Sequence, residues 1–299
     1  MKLAINERGI FYKIYMFYTV RENDLRTLAC RAYTIPSRYG LMNTGGFGII
    51  GVQRALVECR QLSAPFQMKK TSLKKAVVVL SGGQDSATCL ALAVRKHGAD
   101  AVAAITFRYG QRHGIEVRHA RALARHFGVT AHKVVALDFY RHLTANALIT
   151  AGIPIVQAKG ASCPTTVVDG RNAIFLLLAG VWAKSLGATE LHIGVSQADF
   201  SGYPDCRRVF IRAQERMMRL AMEWPFKIVA PFLDKTKADE WALAARLGIL
   251  EVIRKQTVTC YNGIPGDGCG TCPACKLRNR GYKEFLRAKA AKNGRTVGI

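Results

Sequence analysis

The chain has 299 residues, of which 49% are hydrophobic, and its 44 lysine and arginine residues against 20 aspartate and glutamate residues give a formal net charge of +24. This hydrophobic fraction predicts a globular core and excludes a disordered chain, and no run approaches the roughly 20 apolar residues that cross a bilayer. Residues 10–20 are interrupted by Lys13 and lack a small-residue cleavage site, which argues against a secretory signal.

The positive charge is spread along the chain, with +5 in residues 1–67 and +19 in the remainder. A basic body suits ATP and carboxylate substrates, and it would also suit RNA. Of the nine cysteines, four lie within residues 260–275 and five are scattered. Scattered cysteines in odd number are typical of a reducing compartment, so we predict a cytoplasmic protein.

Residues 1–67 show no sustained period of 2 or 3.6, and residues 42–51 are rich in glycine. We therefore predict a disordered N-terminal extension over residues 1–67. Met68, Lys69 and Lys70 then lead directly into an apolar strand. The working domain is predicted to begin at Met68, and a chain lacking the first 67 residues is expected to keep its solubility and activity.

From residue 75 onward, short β-rich runs alternate with helical patterns that often end in glycine. Strands are predicted at residues 75–80, 101–107, 132–137, 190–195 and 227–230, and helices at residues 85–97, 114–127, 172–186, 205–222 and 235–247. This alternation predicts an α/β fold, a Rossmann-like doubly wound parallel sheet of about five strands. We assign it to residues 68–250, followed by a zinc-binding lobe and basic C-terminal helix over residues 251–299.

The most informative motif follows the first of these strands. Residues 81–86 read Ser-Gly-Gly-Gln-Asp-Ser and join the strand directly to a helix. Small residues at such a junction present free backbone N–H groups, a positive helix end and two hydroxyls, which together bind a phosphate. The loop is neither a Walker A motif nor a dinucleotide-binding loop, because it lacks their lysine and glycine spacing.

A second motif consists of four cysteines separated by glycine-rich turns: Cys260, Cys269, Cys272 and Cys275. Four thiolates at this spacing favour a closed tetrahedral zinc site, with no open position for water. An iron–sulfur cluster also accepts four cysteines. We predict a zinc ion that holds the C-terminal lobe and takes no part in catalysis.

Four further segments lie at or near the ends of the predicted strands or begin the cysteine lobe. Residues 108–113 read Arg-Tyr-Gly-Gln-Arg-His, residues 168–172 Val-Asp-Gly-Arg-Asn, residues 199–207 Asp-Phe-Ser-Gly-Tyr-Pro-Asp-Cys-Arg, and residues 260–263 Cys-Tyr-Asn-Gly. The phosphate loop resembles that of the N-type ATP pyrophosphatases. With these segments, residues 68–286 resemble the 7-cyano-7-deazaguanine synthase family of queuosine biosynthesis, although Asp169 stands where that family usually has proline.

The resemblance implies an ATP-dependent carbon–nitrogen ligase. Such an enzyme converts 7-carboxy-7-deazaguanine and ammonia to 7-cyano-7-deazaguanine through adenylated intermediates, with ATP bound as its Mg²⁺ complex. Its partners would be small molecules, with no direct requirement for nucleic acid or membrane, and a homodimer is compatible with it.

The resemblance also assigns roles to individual residues. The candidate catalytic residues are Ser81, Asp85, Ser86 and Arg171. The candidate ATP-binding residues are Leu80, Ser81, Gly82, Gly83, Gln84, Asp85, Ser86, Ala87, Thr88, Cys89 and Leu90. The candidate substrate-binding residues are Gln111, His113, Arg171, Asp199, Tyr203 and Asp205.

Several of these residues have a simpler structural alternative. Asp85 is expected to cap the helix or contact Mg²⁺ rather than act as a base, and Asp199 and Asp205 are equally suited to turns or helix caps. Cys206 is a candidate nucleophile, although a small buried filler is the simpler interpretation. His113 is as well explained by a structural role.

Two other functions fit parts of the sequence. A tRNA thiolase of the same superfamily would explain the basic charge, but the clustered cysteines are better assigned to a metal than to sulfur transfer. The second alternative is not an enzyme: it is a zinc-stabilised module that binds nucleotide or RNA without catalysis. Release of AMP, measured with and without 7-carboxy-7-deazaguanine and ammonia, separates the three.

Overall fold

The computed structural model describes residues 3–5, 11–13, 73–150, 152–156, 164–197 and 203–295. The chain divides into two compact units, Met1–Met68 and Lys69–Ile299. In the first unit, strand β1 (Leu3–Ile5) pairs antiparallel with β2 (Phe11–Lys13). The rest of the extension predicted over residues 1–67 lies outside the described residues.

The second unit is built on a five-stranded sheet. Its strands are β3 (Ala76–Val79), β4 (Val102–Arg108), β5 (Ala131–Ala136), β6 (Glu190–Ile193) and β7 (Lys227–Val229). The spatial order is β5-β4-β3-β6-β7, and every neighbouring pair is parallel. The predicted doubly wound sheet is confirmed, and its strand order changes direction between β3 and β6.

Seven α-helices are present among the described residues of this unit. They are α1 (Gln84–His97), α2 (Ile115–His126), α3 (Arg171–Ser185), α4 (Arg208–Met222), α5 (Lys237–Arg246), α6 (Leu250–Gln256) and α7 (Pro273–Arg295). Helix α4 begins later than predicted because Pro204–Cys206 forms a 3₁₀ turn, and α6 was not predicted. Within the described ranges, no helix has the length and apolar content of a membrane span.

Both faces of the sheet are covered, as expected of parallel strands. Alternate residues of β3 enter different cores: Val77 and Val79 pack in one, whereas Ala76 and Val78 pack in the other. Helices α3 and α4 contribute to the first core, and α1 and α2 to the second. Because adjacent strands β3 and β6 connect to helices on opposite faces, a crevice forms at their carboxyl ends.

Candidate active site

A cavity of about 310 Å³ lies at the carboxyl ends of β3, β4 and β6. The phosphate loop of residues 81–86 lines one part of this cavity, which we call the phosphate end, and side chains that follow β4 and begin α3 line another part. Val258, Thr259 and Tyr261, which lead into the cysteine lobe, complete the wall. The fold therefore brings the phosphate loop and most of the other predicted segments to one place.

The phosphate loop is held by its own hydroxyls. The Oγ atoms of Ser81 and Ser86 lie 3.0 Å apart, the Ser81 N–H donates to Ser86 Oγ, and the Gly83 N–H donates to Ser81 Oγ. Gly83, the N-cap of α1, has no side chain with which to cap the helix, so the first turn offers backbone N–H groups to an anion. This geometry is compatible with a phosphate, and phosphate binding by the loop stays a prediction.

Two glycines let neighbouring elements approach this loop. Gly82 has φ +90°, and a Cβ there would lie 2.6 Å from the Glu116 carbonyl oxygen of α2. A Cβ on Gly194, just past β6, would lie 2.7 Å from the backbone of Asp85 and Ser86. Both contacts are with backbone atoms, which cannot rotate away. The loop is thus wedged between α2 and the end of β6.

Only the first part of the predicted ATP site lines the cavity. Leu80, Ser81 and residues 83–86 line the cavity, whereas Ala87, Thr88, Cys89 and Leu90 do not. These four side chains are buried, and Cys89 and Leu90 belong to the hydrophobic core. The reason is helical geometry, since only the first turn of α1 faces the cavity.

The Gln84 side chain is a separate feature of the same turn. Gln84 lines the cavity, is 1% exposed, and its amide nitrogen and oxygen have no hydrogen-bond partner among the described residues. An unsatisfied buried amide costs roughly 1–3 kcal/mol. A ligand with polar groups would remove that cost.

Asp85 belongs to a buried charge cluster. Lys237 Nζ lies 2.7 Å from Asp85 Oδ2 and 2.9 Å from Glu240 Oε1. Burial alone would raise the pKa of Asp85, but the Lys237 ammonium holds it below the ordinary value. Burial and the neighbouring Asp85 carboxylate raise the pKa of Glu240 well above its ordinary value. Asp85 is therefore an ionised partner of Lys237, and the prediction that it caps α1 is wrong.

Arg171 lines the cavity from the start of α3. Its guanidinium donates to the Tyr109 hydroxyl at 3.3 Å and lies 5.9 Å and 6.0 Å from the ring centres of Tyr109 and Tyr203. The Tyr203 hydroxyl in turn lies 2.5 Å from Thr166 Oγ1 and 3.2 Å from the Tyr261 hydroxyl. This wall offers one planar cation and flat aromatic surface to a ligand.

Gln111 and His113 both line the cavity after β4. Gln111 is engaged within its own turn, because its Oε1 accepts the Tyr109 N–H at 2.8 Å and its Nε2 donates to the Phe107 carbonyl at 3.3 Å. The His113 ring packs against Gly263 at the start of the cysteine lobe. Gln111 thus serves to shape the turn, and His113 lies where the two parts of the wall meet.

The two predicted aspartates have different outcomes. Asp199 lies outside the described residues. Asp205 is buried and does not line the cavity, since its Oδ2 accepts the Asn172 N–H at 3.0 Å at the start of α3. The structure thus supports the helix-cap interpretation of Asp205 over direct substrate contact. Cys206 lines the cavity, but burial raises its pKa to about 12, which keeps the thiol protonated and argues against a nucleophile.

The cysteine cluster has the donor set of a metal site. The sulfur atoms of Cys260, Cys269, Cys272 and Cys275 all lie within 4.8 Å of one another. The backbone N–H of Asn262 donates to Cys260 Sγ, and that of Cys272 to Cys269 Sγ, both at 3.3 Å. Such N–H···S bonds stabilise thiolates, the form that binds metal. The four residues fit a tetrahedral zinc ion.

The segment that leads into this cluster touches the phosphate loop. The Val258 N–H donates to the Gly82 carbonyl at 2.9 Å, and the Gln84 N–H to Thr259 Oγ1 at 3.4 Å. Arg278 of α7, 2% exposed, donates to Thr259 Oγ1 at 2.9 Å. The cysteine lobe therefore supports the loop through the segment between α6 and Cys260.

The sequence analysis missed Glu116 and Lys237. Glu116 lines the cavity one helical turn after His113, so the motif after β4 continues beyond the six residues that were recognised. Lys237 is the first residue of α5, where a cation opposes the helix dipole. Its carboxylate partners, Asp85 and Glu240, are brought to it by the packing of α5.

One comparison with known proteins identifies the family of this chain. A family model described as Queuosine biosynthesis protein QueC matches residues 75–286. Among solved structures, NMN synthetase from Francisella tularensis is 14% identical, with a TM-score of 0.37 over 70% of this chain and 74% of that chain. The NH3-dependent NAD synthetase from Campylobacter jejuni is 13% identical, with a TM-score of 0.37 over 70% of this chain and 77% of that chain. Both are too distant to carry an argument about function. The family match covers most of the chain, which belongs to the QueC family of queuosine biosynthesis and is an ATP-dependent ligase.

Proposed function

We propose that this chain converts 7-carboxy-7-deazaguanine, ammonia and ATP to 7-cyano-7-deazaguanine. One observation carries the proposal: a single cavity joins the phosphate loop, whose N-cap residue is glycine, to a wall that contains Arg171 and several tyrosines. The first feature suits the phosphates of ATP, and the second suits a flat heterocycle that bears a carboxylate. The family assignment agrees with both.

The chemistry requires these two features to be neighbours. A carboxylate is a poor acyl donor, so one of its oxygens first attacks the α-phosphorus of ATP and pyrophosphate leaves. Ammonia then attacks the acyl carbon, AMP leaves and the amide remains. In the second half the amide oxygen attacks the α-phosphorus of another ATP and pyrophosphate leaves. Loss of AMP and protons then gives the nitrile. Each adenylation needs the acyl oxygen held near the α-phosphorus.

The residues of the phosphate end neutralise charge. The backbone N–H groups of the first turn of α1 and the hydroxyls of Ser81 and Ser86 would bind the phosphate oxygens. Lys237 adds a buried ammonium in the same wall, fixed by Asp85 and Glu240. The charge that develops on departing pyrophosphate would thus meet donors that are already in place.

The residues of the other end would orient the substrate. The guanidinium of Arg171 can bind a carboxylate through two parallel N–H groups, and the rings of Tyr109 and Tyr203 flank it. Tyr203 is held by Thr166 and Tyr261, so its ring has a fixed direction. We assign the carboxylate to Arg171 and the deazaguanine ring to the tyrosines.

Metal ions have separate roles in this proposal. Zinc held by Cys260, Cys269, Cys272 and Cys275 would stabilise the fold of the lobe, and its four sulfur ligands would leave no coordination position for a reacting water. Mg²⁺ would accompany ATP, and Asp85 is the acidic side chain of the phosphate loop that lines the cavity. The chain's own contribution to the phosphate end is the pair formed by Asp85 and Lys237.

The test is a product assay on the full chain. We expect AMP release that requires both 7-carboxy-7-deazaguanine and ammonia, together with the nitrile by mass spectrometry. AMP release that instead requires tRNA and a sulfur donor would assign the chain to the thiolases. ATP binding without AMP release under any of these conditions would indicate a non-catalytic module.

A further inference from the structure

Glu116 is an acidic side chain of the cavity wall for which the steps above leave no role. It lies in the first turn of α2, whose backbone packs on Gly82 of the phosphate loop. Glu116 therefore lines the cavity from a helix that is fixed against the phosphate loop. His113 and Gln111, which also line the cavity, come from the loop before α2.

The surroundings of this carboxylate are defined by the loop after β4 and by α3. The Gln111 side chain, held by the Tyr109 N–H and the Phe107 carbonyl, interacts with this carboxylate and lowers its pKa. Arg171 on α3 and Tyr109 at the end of β4 are the ionisable groups that interact with it, and Arg112 and His113 line the same cavity. The Glu116 carboxylate thus lies near the Gln111 amide and the Arg171 guanidinium, the group to which we assign the substrate carboxylate.

We propose that Glu116 is the general base that removes protons from the substrate nitrogen. This inference rests on the proposed function, because it concerns the amide and nitrile steps of that reaction. In the last step the carboxylate takes the remaining N–H proton from the adenylated imidate. The N–H electron pair forms the third carbon–nitrogen bond, and the carbon–oxygen bond breaks with its electrons on AMP. After ammonia attacks, the same group takes a proton from the new nitrogen.

The protonation behaviour of the cavity supports this assignment. Burial raises the pKa of Glu116 to about 7, and Arg171 and Gln111 offset part of that rise. A base that titrates near the working pH can both accept and release a proton. The other groups are less suited: Lys237 keeps the pKa of Asp85 low, and burial raises the pKa of Cys206 to about 12.

The experiment separates proton removal from adenylation. Exchange of labelled pyrophosphate into ATP, dependent on 7-carboxy-7-deazaguanine and measured without ammonia, reports adenylation alone. Nitrile formation under single-turnover conditions reports the whole sequence. Glu116→Gln preserves size and hydrogen-bonding capacity but removes the base, Glu116→Asp retracts it, and Glu251→Gln makes the same change on an exposed residue outside the cavity.

We expect Glu116→Gln to keep pyrophosphate exchange within about three-fold and to lose nitrile formation by roughly 10²–10⁴-fold, the usual contribution of a positioned base. Glu116→Asp should recover part of the rate, and Glu251→Gln should behave as the unsubstituted chain. In the unsubstituted chain the rate should rise with pH through about 7, and this limb should vanish from the residual rate of Glu116→Gln.

Each alternative outcome is decisive. Nitrile formation at an unchanged rate in Glu116→Gln overturns the proposal, as does loss of pyrophosphate exchange and nitrile formation together, which would indicate a role in binding or folding. If His113→Gln removes the pH limb while Glu116→Gln keeps it, the base is His113. If the unsubstituted chain shows no pyrophosphate exchange and forms no nitrile, the proposed function fails and the role of Glu116 fails with it.

Discussion

The two ends of the cavity are built in different ways. The phosphate end comes from consecutive residues, 81–86, at one strand–helix junction, whereas the substrate end is assembled from the loop after β4, the start of α3, Tyr203 and Tyr261. A contiguous loop is specified by local backbone geometry and can be recognised from a short motif. An assembled wall depends on the packing of several elements, so distant substitutions should disturb it more readily than they disturb the loop.

The largest effect should come from adding a side chain at Gly82, where the phosphate loop packs closely on the backbone of α2. Gly82→Ala is expected to lower turnover by at least about 100-fold, since shifting a reacting group by an ångström has effects of that size. The added Cβ would meet the Glu116 carbonyl oxygen at 2.6 Å, with φ at +90°. Steady-state AMP release and circular dichroism report activity and fold.

Gly248→Ala is the matched control for that substitution. Gly248 also has positive φ, at +73°, but a Cβ there meets nothing within 4 Å. Its cost should be the left-handed backbone alone, about 1–2 kcal/mol of stability, with turnover preserved. Equal activities for the two variants would show that the contact with α2 does not position the loop.

Loss of the metal site should weaken ATP binding at the phosphate loop. Cys269→Ser is expected to lower the zinc content and the melting temperature, because metal binding of this kind is coupled to folding. It should also weaken ATP binding by about ten-fold, equivalent to one or two hydrogen bonds of about 1 kcal/mol each, since Val258 and Thr259 would no longer hold Gly82 and Gln84.

Metal analysis and nucleotide titration measure these two effects. Thr259→Val is the companion variant, because it removes the acceptor for the Gln84 N–H and leaves the cysteines in place. It should keep its zinc and weaken ATP binding to a smaller extent. Full ATP affinity in a zinc-free Cys269→Ser protein would show that the phosphate loop keeps its binding geometry without support from the cysteine lobe.

A smaller, more selective effect is expected at the substrate end. Arg171→Lys keeps the charge but loses the planar fork, so kcat/KM for 7-carboxy-7-deazaguanine should fall by roughly 10–100-fold, corresponding to a charged hydrogen bond of about 1.5–3 kcal/mol. ATP affinity should change little. Arg212→Lys, at an exposed position of α4, should leave both unchanged. A loss confined to ATP binding would place Arg171 at the phosphate end.

The smallest effect concerns the stability cost of the assembled wall. Because burial raises the pKa of Glu116 from 4.5 to about 7, its protonated form stabilises the fold at low pH, and this contribution is lost as pH rises through about 7. Glu116→Gln should therefore gain stability relative to the unsubstituted chain between about pH 5 and pH 8, on the order of 1 kcal/mol after allowance for solvent.

Chemical denaturation at pH 5 and pH 8 measures this difference. Glu251→Gln, at an exposed carboxylate, should show no such dependence on pH. A Glu116→Gln protein whose relative stability does not rise with pH would contradict the environment described for this carboxylate.

The contrast between the ends also explains what the sequence could predict. The strands, the phosphate loop and the cysteine cluster follow from period, turn chemistry and spacing, which are local properties. The pairing of Lys237 with Asp85, 152 positions apart, depends on where α5 packs, and no local pattern encodes it. Asp205 is the reverse case. Its place in a recognised motif suggested substrate contact, but in the structure its carboxylate accepts the Asn172 N–H at the N-terminus of α3.

The central claim is that the substrate carboxylate meets the α-phosphorus of ATP inside this one cavity. The most direct test supplies 7-carboxy-7-deazaguanine with both carboxylate oxygens replaced by the heavy isotope and analyses the products by mass spectrometry. We predict that each AMP released carries one heavy oxygen and that pyrophosphate carries none, because both acyl oxygens leave on the α-phosphoryl group. Heavy oxygen in pyrophosphate or inorganic phosphate, or AMP without label while the nitrile forms, would contradict the account.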